Sequence, residues 1–366
     1  MEIKEFPQYK NEADVIRDYL PRFIELNDGK PCEIIGVIGQ NEHGSKSRAW
    51  RIILNPVRDR TDSHTGLIVD WDDTLEPYTE RKDRLYRSYL SLIPSSGQDT
   101  KEAFVRACYA INRASRVLPP TGAHPERYAP YLELLATTML VKSVNEGEIP
   151  QLLIDITKSS RVQAEELART YLQQNVLRAI EGIETKTETG TNGSKDYFIE
   201  KKLQATSINF GQKPPLVDDE VWQLHRTYLT KNNIPRDELP HFDLPDNARF
   251  FVASFGEADF QLEKILNGLN FLKANGKRTP DEIILFTRGR KNSIVRKIIE
   301  DFPQTQFIYV DDSPRQIENL GDIDRLIPIH AQRVGSQRSA ERVAGIQEVD
   351  MRTTKMSQII NLVNLP

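Results

Sequence analysis

The sequence lacks several features that would point to common functional classes. It contains 2 cysteines, Cys32 and Cys108, and no CxxC pair, so neither a disulfide framework nor a cysteine zinc site is expected. Its 6 histidines show no HxH or HxxxH spacing, which argues against a histidine zinc site. No apolar run approaches the roughly 20 residues of a membrane helix, and the start of the chain has no apolar signal core. By elimination, we expect a cytoplasmic protein with no membrane partner.

The sequence also lacks a strong excess of charge of either sign. The formal net charge is -4, and 28% of the residues are charged against 38% hydrophobic. This balance is that of a globular protein and gives no general indication of binding to nucleic acid or to an anionic membrane. A chain of 366 residues is too long for one ordinary small core, so two lobes are expected.

What the sequence does contain is an acidic stretch directly after a short apolar run. Leu67, Ile68 and Val69 read as the end of a buried strand, and Asp70 and Asp72 follow where that strand would stop. Side chains alternate on an extended backbone, so the two carboxylates point the same way. They repel each other unless a cation lies between them or one is protonated. The pair is a candidate site, and an acidic turn is the alternative interpretation.

The N-terminal part predicts a helix over 12–27, with a kink or break at Pro21, and then two strand-like runs over 33–38 and 50–54. The loop between the runs is rich in glycine and polar residues, but it does not fit a phosphate-binding P-loop. Ser45 follows the second glycine where the motif requires lysine. We therefore predict a β-hairpin, in an N-terminal extension over 1–60 that packs on the main domain.

A long helical insertion follows the acidic stretch. Amphipathic periodicity predicts helices, and Ser160 with Gln163 has the spacing of a capping box. The polar, aperiodic stretch 185–195 is predicted to be a loop. The predicted helices cover 80–93, 101–117, 129–144, 160–180 and 218–231. The insertion as a whole spans 77–247.

Strands and helices alternate from 249 to the end. This alternation predicts an α/β, Rossmann-like core with a mostly parallel sheet and helices on both faces, built from 61–76 and 248–366. The predicted strands are 249–254, 282–287, 306–310 and 325–329, and the predicted helices are 258–274, 293–302, 314–320 and 353–364. Ligands of such sheets bind beyond the carboxyl ends of the strands. Asp70, Ser254, Lys291 and Asp311 all lie at or shortly after those ends.

These parts, in this order, resemble the haloacid dehalogenase-like superfamily, most of whose members are magnesium-dependent phosphohydrolases. The first motif, DxDx(T/V), fits the run from Asp70 to Thr74. Ser254 fits the second motif, Lys291 the third, and Asp311 with Asp312 the acidic fourth. The resemblance covers 67–75 and 249–330, with the helical insertion in the place of the family's cap.

The resemblance implies a role for each matched residue. Asp70 would be the nucleophile that forms an aspartyl-phosphate, and Asp72 the general acid and base. Mg²⁺ would be the cofactor, held by Asp70, the backbone carbonyl of Asp72, and one or both of Asp311 and Asp312. Lys291 and Ser254 would act on the phosphoryl group, with further substrate contacts from Thr74 and Arg288. The substrate would be a phosphomonoester that the sequence does not identify.

Several alternatives stay open at the level of sequence. Thr287 and Lys297 compete with Ser254 and Lys291 for the second and third motifs. Trp71 is read as a core residue and Asp73 as turn-forming, while Arg81, Lys82 and Arg84 are read as a solvated face. Dehalogenases of this superfamily lack the acid that Asp72 provides, which argues against dehalogenation. The competing functions are a non-catalytic or macromolecule-binding scaffold, including a nucleic-acid-associated one, and a phosphotransferase.

Overall fold

The computed structural model describes residues 10–40, 46–55, 65–115, 125–182, 213–231, 234–256, 258–289, 291–318, 320, 322–333 and 345–361. The chain divides into two compact units. The first unit comprises Met1–Arg81 and Thr230–Pro366, and the second is the continuous segment Lys82–Leu229. The predicted loop over 185–195 lies outside the described residues.

The described part of the first unit is built on an eight-stranded sheet. Its strands are β1 (Glu33–Gln40), β2 (Lys46–Ile53), β3 (Thr65–Asp70), β4 (Ala248–Phe255), β5 (Glu282–Arg288), β6 (Gln306–Asp311), β7 (Leu326–Gln332) and β8 (Gln347–Asp350). They lie in the order β1-β2-β5-β4-β3-β6-β7-β8. From β5 to β8 the neighbours are parallel, whereas β1 and β2 form an antiparallel edge.

Helices accompany the sheet in the first unit. They are α1 (Lys10–Asp18), α2 (Leu20–Leu26), the start of α3 (Tyr78–Ser88), and, after the second unit, α10 (Ala258–Ala274), α11 (Lys291–Glu300), α12 (Pro314–Glu318) and α13 (Met356–Asn361). A 3₁₀ helix spans Arg236–Phe242. The break between α1 and α2 falls at Tyr19, and Pro21 occupies the first turn of α2, where a missing N–H is tolerated.

Strands β3, β4 and β6 are buried along most of their length, and alternate residues of β3 belong to different core clusters. Leu67 and Val69 of β3 share one cluster with apolar residues of α1, α2, α10 and α13. Ile68 of the same strand lies in a second cluster with apolar residues of α11. The predicted α/β class and the mostly parallel sheet covered on both faces are therefore confirmed.

The second unit is helical in its described part. Its helices are the remainder of α3, then α4 (Gln98–Ser115), α5 (Pro125–Asn145), α6 (Gln151–Ile156), α7 (Arg161–Tyr171), α8 (Leu177–Glu181) and α9 (Asp219–Thr230), with a 3₁₀ turn at Tyr89–Leu92 and a π turn at Leu172–Val176. The predicted capping box is present, since Ser160 Oγ accepts from the Gln163 N–H and Gln163 Oε1 accepts from the Ser160 N–H. Among the described helices, none combines the length and hydropathy that crossing a bilayer requires.

Three expectations need correction or extension. Strands β1 and β2 pair antiparallel as far as Gln40 and Lys46, and they extend the main sheet through the antiparallel pairing of β2 with β5. Strand β8 was not anticipated. The solvated-face interpretation of 81–84 is wrong for Arg81 and Lys82, which are buried. Arg81 pairs with Glu76 and Lys82 with Glu133, and Arg84 is exposed.

Candidate active site

Asp70 is the last residue of β3, and β3 lies between β4 and β6 at the middle of the parallel sheet. Its side chain belongs to the face of the sheet that α11 covers, since Ile68, two residues earlier, packs in that cluster. The carboxylate is buried, and its Oδ1 accepts a hydrogen bond from Lys291 Nζ at 2.6 Å. The most central strand therefore ends in a buried ion pair.

Lys291 joins Asp70 to a second carboxylate. Lys291 is the first residue of α11, and its Nζ also lies 2.6 Å from Asp311 Oδ2, at the end of β6. The Tyr309 hydroxyl donates to the same Asp311 oxygen at 3.1 Å, and the Ser313 N–H donates to Asp311 Oδ1 at 2.8 Å. Asp311 is thus fixed from several sides, with an ammonium ion shared between it and Asp70.

Asp70, Asp311 and Asp312 form a cluster in which one carboxylate oxygen from each residue lies within 4.8 Å of the other two, and all three side chains are buried. Three carboxylates this close repel one another strongly in a medium of low dielectric constant, and one lysine offsets only part of that repulsion. An all-oxygen donor set is the one that Mg²⁺ prefers. The residues present therefore fit a hard divalent cation.

The electrostatics of this cluster perturb its titration. Burial is the largest influence on Asp70, and with the neighbouring Asp311 and Asp72 it raises the pKa of that carboxyl from 3.8 to about 7, against the opposing pull of Lys291. Burial alone would lower the pKa of the Lys291 ammonium, but Asp311 and Asp70 outweigh it and raise that pKa well above its ordinary value. Perturbed titration in a charged cluster at strand ends is typical of functional sites.

The turn after β3 is closed by its own hydrogen bonds. Trp71 is fully buried in the core, and its indole N–H donates to Glu76 Oε2 at 2.7 Å. Asp73 has a left-handed backbone (φ 56°), and its carboxylate accepts from both the N–H and the hydroxyl of Thr79 at 2.8 Å. Trp71 is therefore a core residue and Asp73 forms the turn, as interpreted from the sequence.

Asp72 is paired with a lysine of α10. Its carboxylate contacts Lys264 Nζ with both oxygens, at 2.6 Å for Oδ2 and closer for Oδ1. The Asp72 side chain is 26% exposed, whereas that of Lys264 is fully buried. The carboxylate cluster around Asp70 does not include this side chain, and the implied metal contact through the backbone carbonyl of Asp72 stays a prediction.

Among the described residues, Ser254 makes no hydrogen bond to Asp70. It lies near the end of β4, one residue after Ala253, which pairs with Asp70, so its side chain lies on the opposite face. Its buried hydroxyl donates to Gln261 Oε1 of α10 at 2.7 Å. Gln261 Nε2 in turn donates to the Phe255 carbonyl at 3.1 Å.

The alternative residues for the second and third motifs lie elsewhere. The Thr287 hydroxyl accepts from Arg48 Nε at 3.0 Å and donates to Glu12 Oε2 at 3.1 Å, in the N-terminal part of the first unit. Lys297 donates to the Ile38 carbonyl at 2.5 Å and is exposed. Of the two competing lysines, Lys291 is the one that contacts the acidic residues.

Two implied substrate contacts remain. Thr74 is fully buried, and its hydroxyl has no hydrogen-bond partner in the part of the chain that the structure describes. Its carbonyl accepts from Arg333 at 3.2 Å, and Arg333 is paired with Glu238. The backbone of Arg288 ends β5, and its side chain lies outside the described part.

Gln261 and Lys264, both on α10, are not among the residues predicted from the sequence. The sequence does contain an indication that these two residues are buried and paired. Helix α10 carries many buried apolar residues, such as Leu262 and Ile265, and a polar pair spaced i, i+3 within such a helix lies on one buried face. Buried polar groups require partners. The sequence could not show that these partners are Ser254 and Asp72.

Comparisons of the sequence with known proteins do not identify a family for this chain. No family model matches the chain, and no curated protein matches it. Among solved structures, it is similar to a haloacid dehalogenase-like hydrolase from Burkholderia xenovorans LB400, at 12% identity and a TM-score of 0.35, over 83% of this chain and 99% of that chain. It is also similar to a dehalogenase with an intermediate complex, at 9% identity and a TM-score of 0.30, over 79% of this chain and 94% of that chain. Neither likeness is close enough to bear on the reaction or on the roles of residues.

Proposed function

We propose that this chain is a Mg²⁺-dependent phosphohydrolase of the haloacid dehalogenase-like type, acting through an aspartyl-phosphate on Asp70. The observation that carries the proposal is the buried cluster of Asp70, Asp311 and Asp312, in which one carboxylate oxygen from each residue lies within 4.8 Å of the other two. Lys291 connects Asp70 to Asp311 at 2.6 Å on each side. A scaffold protein has no need to bury three adjacent carboxylates, because such a cluster lowers the stability of the fold.

Asp70, Asp311 and Asp312 would hold the cation. When bound, Mg²⁺ offsets the carboxylate charge and polarises the phosphoryl oxygens of the substrate. Lys291 supplies a second positive charge beside Asp70, which favours its ionised form and attracts the phosphoryl group. The buried hydroxyl of Thr74, for which a missing partner costs free energy, would donate to a substrate oxygen.

The chemistry has two steps. In the first, a carboxylate oxygen of Asp70 attacks phosphorus, the bond between phosphorus and the leaving oxygen breaks, and Asp72 donates a proton to that oxygen. In the second, the Asp72 carboxylate accepts a proton from water as the water oxygen attacks phosphorus. The bond from phosphorus to Asp70 breaks, which releases inorganic phosphate and regenerates the Asp70 carboxylate.

The test is D70N, assayed for phosphate release from a panel of alkyl and aryl phosphomonoesters with Mg²⁺. We expect a loss of at least about 1000-fold in kcat, because an amide is a poor nucleophile and the covalent route is lost. D324N is the matched control, since Asp324 is exposed in the first unit. It should retain wild-type kcat, and circular dichroism should show that both variants are folded.

Other outcomes would change the assigned nucleophile, the reaction or the function. An active D70N variant excludes Asp70 as the nucleophile. A wild-type protein that forms an acid-stable, hydroxylamine-sensitive phosphoprotein, and loses the phosphoryl group only when an alcohol acceptor is added and converted into its phosphate ester, would be a phosphotransferase. A wild-type protein that neither releases phosphate nor becomes phosphorylated would contradict the proposal and favour a binding or scaffold role.

A further inference from the structure

Lys264 is a buried lysine that belongs to none of the four motifs. It occupies the middle of α10, and its side chain is fully buried. Its ammonium group contacts both carboxylate oxygens of Asp72, with 2.6 Å to Oδ2, and it lies 5.1 Å from the centre of the Phe260 ring. The ion pair therefore joins a fully buried ammonium group to the partly exposed carboxylate of Asp72.

Packing alone does not account for a lysine at this position. The adjacent residues of the helix, such as Leu262, Ile265 and Leu266, are fully buried and apolar. A methionine or leucine would occupy the same kind of space without the free-energy cost of removing an ammonium group from water. The charge is useful for what it contacts, and its contacts include both oxygens of the second carboxylate of the acidic stretch.

The same face of α10 makes a second contact of this kind. Gln261 lies three residues before Lys264, so the two side chains are neighbours on the helix surface. Gln261 accepts from the Ser254 hydroxyl at 2.7 Å. One helix thus fixes the side chains of two residues that the motif pattern selected, Ser254 and Asp72.

We propose that Lys264 is a positioning residue of the active site, which holds the Asp72 carboxyl group in the orientation needed for proton transfer. The inference rests on the proposed function, in which Asp72 donates a proton to the leaving oxygen and later accepts one from water. Contact with both Asp72 oxygens restrains both torsions of that short side chain. Without the lysine, the partly exposed carboxyl group can rotate into solvent, and a misplaced proton donor transfers its proton slowly.

A double-mutant cycle tests the proposal, with K264M, D72N and the combined variant assayed on an alkyl phosphate and on 4-nitrophenyl phosphate. We expect K264M to lower kcat by about 10- to 100-fold with little change in KM, as a small displacement of a catalytic group does. The loss should be larger for the alkyl ester, whose leaving oxygen needs a proton, than for the aryl ester. Combining K264M with D72N should cost no more than D72N alone.

Two further variants separate positioning from simple destabilisation. K264R keeps the positive charge and should restore most of the kcat lost in K264M. K273M is the matched control, because Lys273 lies on the same helix and pairs with the exposed Asp28; it should behave as wild type. Crystal structures of the wild type and of K264M provide a readout that needs no turnover, and we expect the Asp72 side chain to be displaced or split between conformers in K264M.

The outcomes distinguish this inference from the proposed function. Wild-type kcat in K264M, equal losses on both esters, or losses that add in the combined variant would overturn the role of Lys264 while leaving the Asp70 chemistry intact. An unmoved Asp72 in the K264M crystal structure would overturn it as well. Should the wild type or D70N contradict the proposed function, the crystal structures alone decide whether Lys264 positions Asp72.

Discussion

At the scale of single residues, the titration of Asp70 is set by burial and by neighbouring charges of both signs. Its carboxyl group is buried beside Asp311 and near Asp72, and Lys291 opposes the resulting rise in its pKa. Folding therefore brings together groups that would ionise freely in the unfolded chain. The folded protein tolerates this because a proton on Asp70, or a bound cation, relieves the repulsion.

The first prediction concerns stability against pH in the presence of a chelator. The folded-state pKa of Asp70, about 7, lies above its ordinary value of 3.8. The folded chain therefore keeps a proton that the unfolded chain releases, and the free energy of unfolding falls as the pH rises from about 4 to about 7. The slope from this group is at most about 1.4 kcal/mol per pH unit. Urea unfolding at several pH values in EDTA measures it.

D70N is the control for this prediction, because the amide does not titrate. The stability difference between wild type and D70N should shift in favour of D70N as the pH rises through this window, and added Mg²⁺ should reverse the shift for wild type. Lys291 does not contribute to the pH dependence in this window. Its pKa is raised well above its ordinary value, so it stays charged throughout. A pH-independent difference between the two proteins would contradict the prediction.

Residues at strand ends could be placed from sequence, and residues defined by long-range pairing could not. Asp70 and Asp311 follow apolar strands, so the sheet edge where they meet follows from periodicity and the parallel arrangement. Lys264 pairs with a residue 192 positions away, and local sequence carries no information on such a partner. Ser254 fits the motif pattern, but the face on which it lies depends on register, which the sequence left open.

At the scale of elements, the turn after β3 depends on its packing against α10. A Cβ atom at Gly268 of α10 would lie 2.4 Å from Cζ2 of Trp71, the residue between Asp70 and Asp72. Glycine is unfavourable within a helix by up to about 1 kcal/mol. Its presence here is explained by the close approach of the helix to the indole ring, which brings α10 near the acidic stretch.

The second prediction is that G268A destabilises the protein although alanine favours helix formation. Overpacking a buried site costs about 1–3 kcal/mol, and the displaced Trp71 should shift the flanking carboxylates and lower kcat. Urea unfolding and steady-state kinetics measure the two effects. G97A is the matched control, since a Cβ at Gly97 meets nothing within 4 Å; its effect on stability should be smaller and its kcat unchanged. Equal effects of the two substitutions would contradict this account.

Secondary structure was predicted best where the hydrophobic period is regular. The bounds predicted for α10 are those observed, because its apolar residues continue without interruption over the whole helix. The edge strand β8 was missed because only Val349 in it is buried, so no apolar run marks it. Arg81 and Lys82 were misread as a solvated face because a lysine or arginine on a helix is usually exposed, and their buried partners, Glu76 and Glu133, could not be identified locally.

At the scale of the whole molecule, the two units differ in how the chain forms them. The first unit is assembled from two separate segments, whereas the second is the single continuous segment Lys82–Leu229. The second unit has its own apolar core, with Phe104, Ile111 and Leu134 fully buried. It also has an internally satisfied polar group at Glu133, which accepts from Tyr86, Asn112 and Lys82 at 2.7, 2.6 and 3.4 Å.

The third prediction is that a chain comprising 82–229 alone folds into a helical protein. A continuous segment with many buried apolar residues and paired buried charges meets the usual requirements for independent folding. Far-ultraviolet circular dichroism should show helix, and urea should unfold the fragment in a cooperative transition. A fragment that shows the circular dichroism of a random coil, or that unfolds without cooperativity, would contradict the prediction.

Matched substitutions then show whether the isolated fragment has the core described above. Ile111 is fully buried on α4, whereas Ile154 on α6 is 52% exposed. I111A should lower the free energy of unfolding of the fragment by about 2–5 kcal/mol, because it removes buried methyl groups and leaves a cavity. I154A should change it by no more than about 0.5 kcal/mol. Similar effects of the two would indicate a loosely packed fragment, because only a fixed core distinguishes a buried isoleucine from an exposed one.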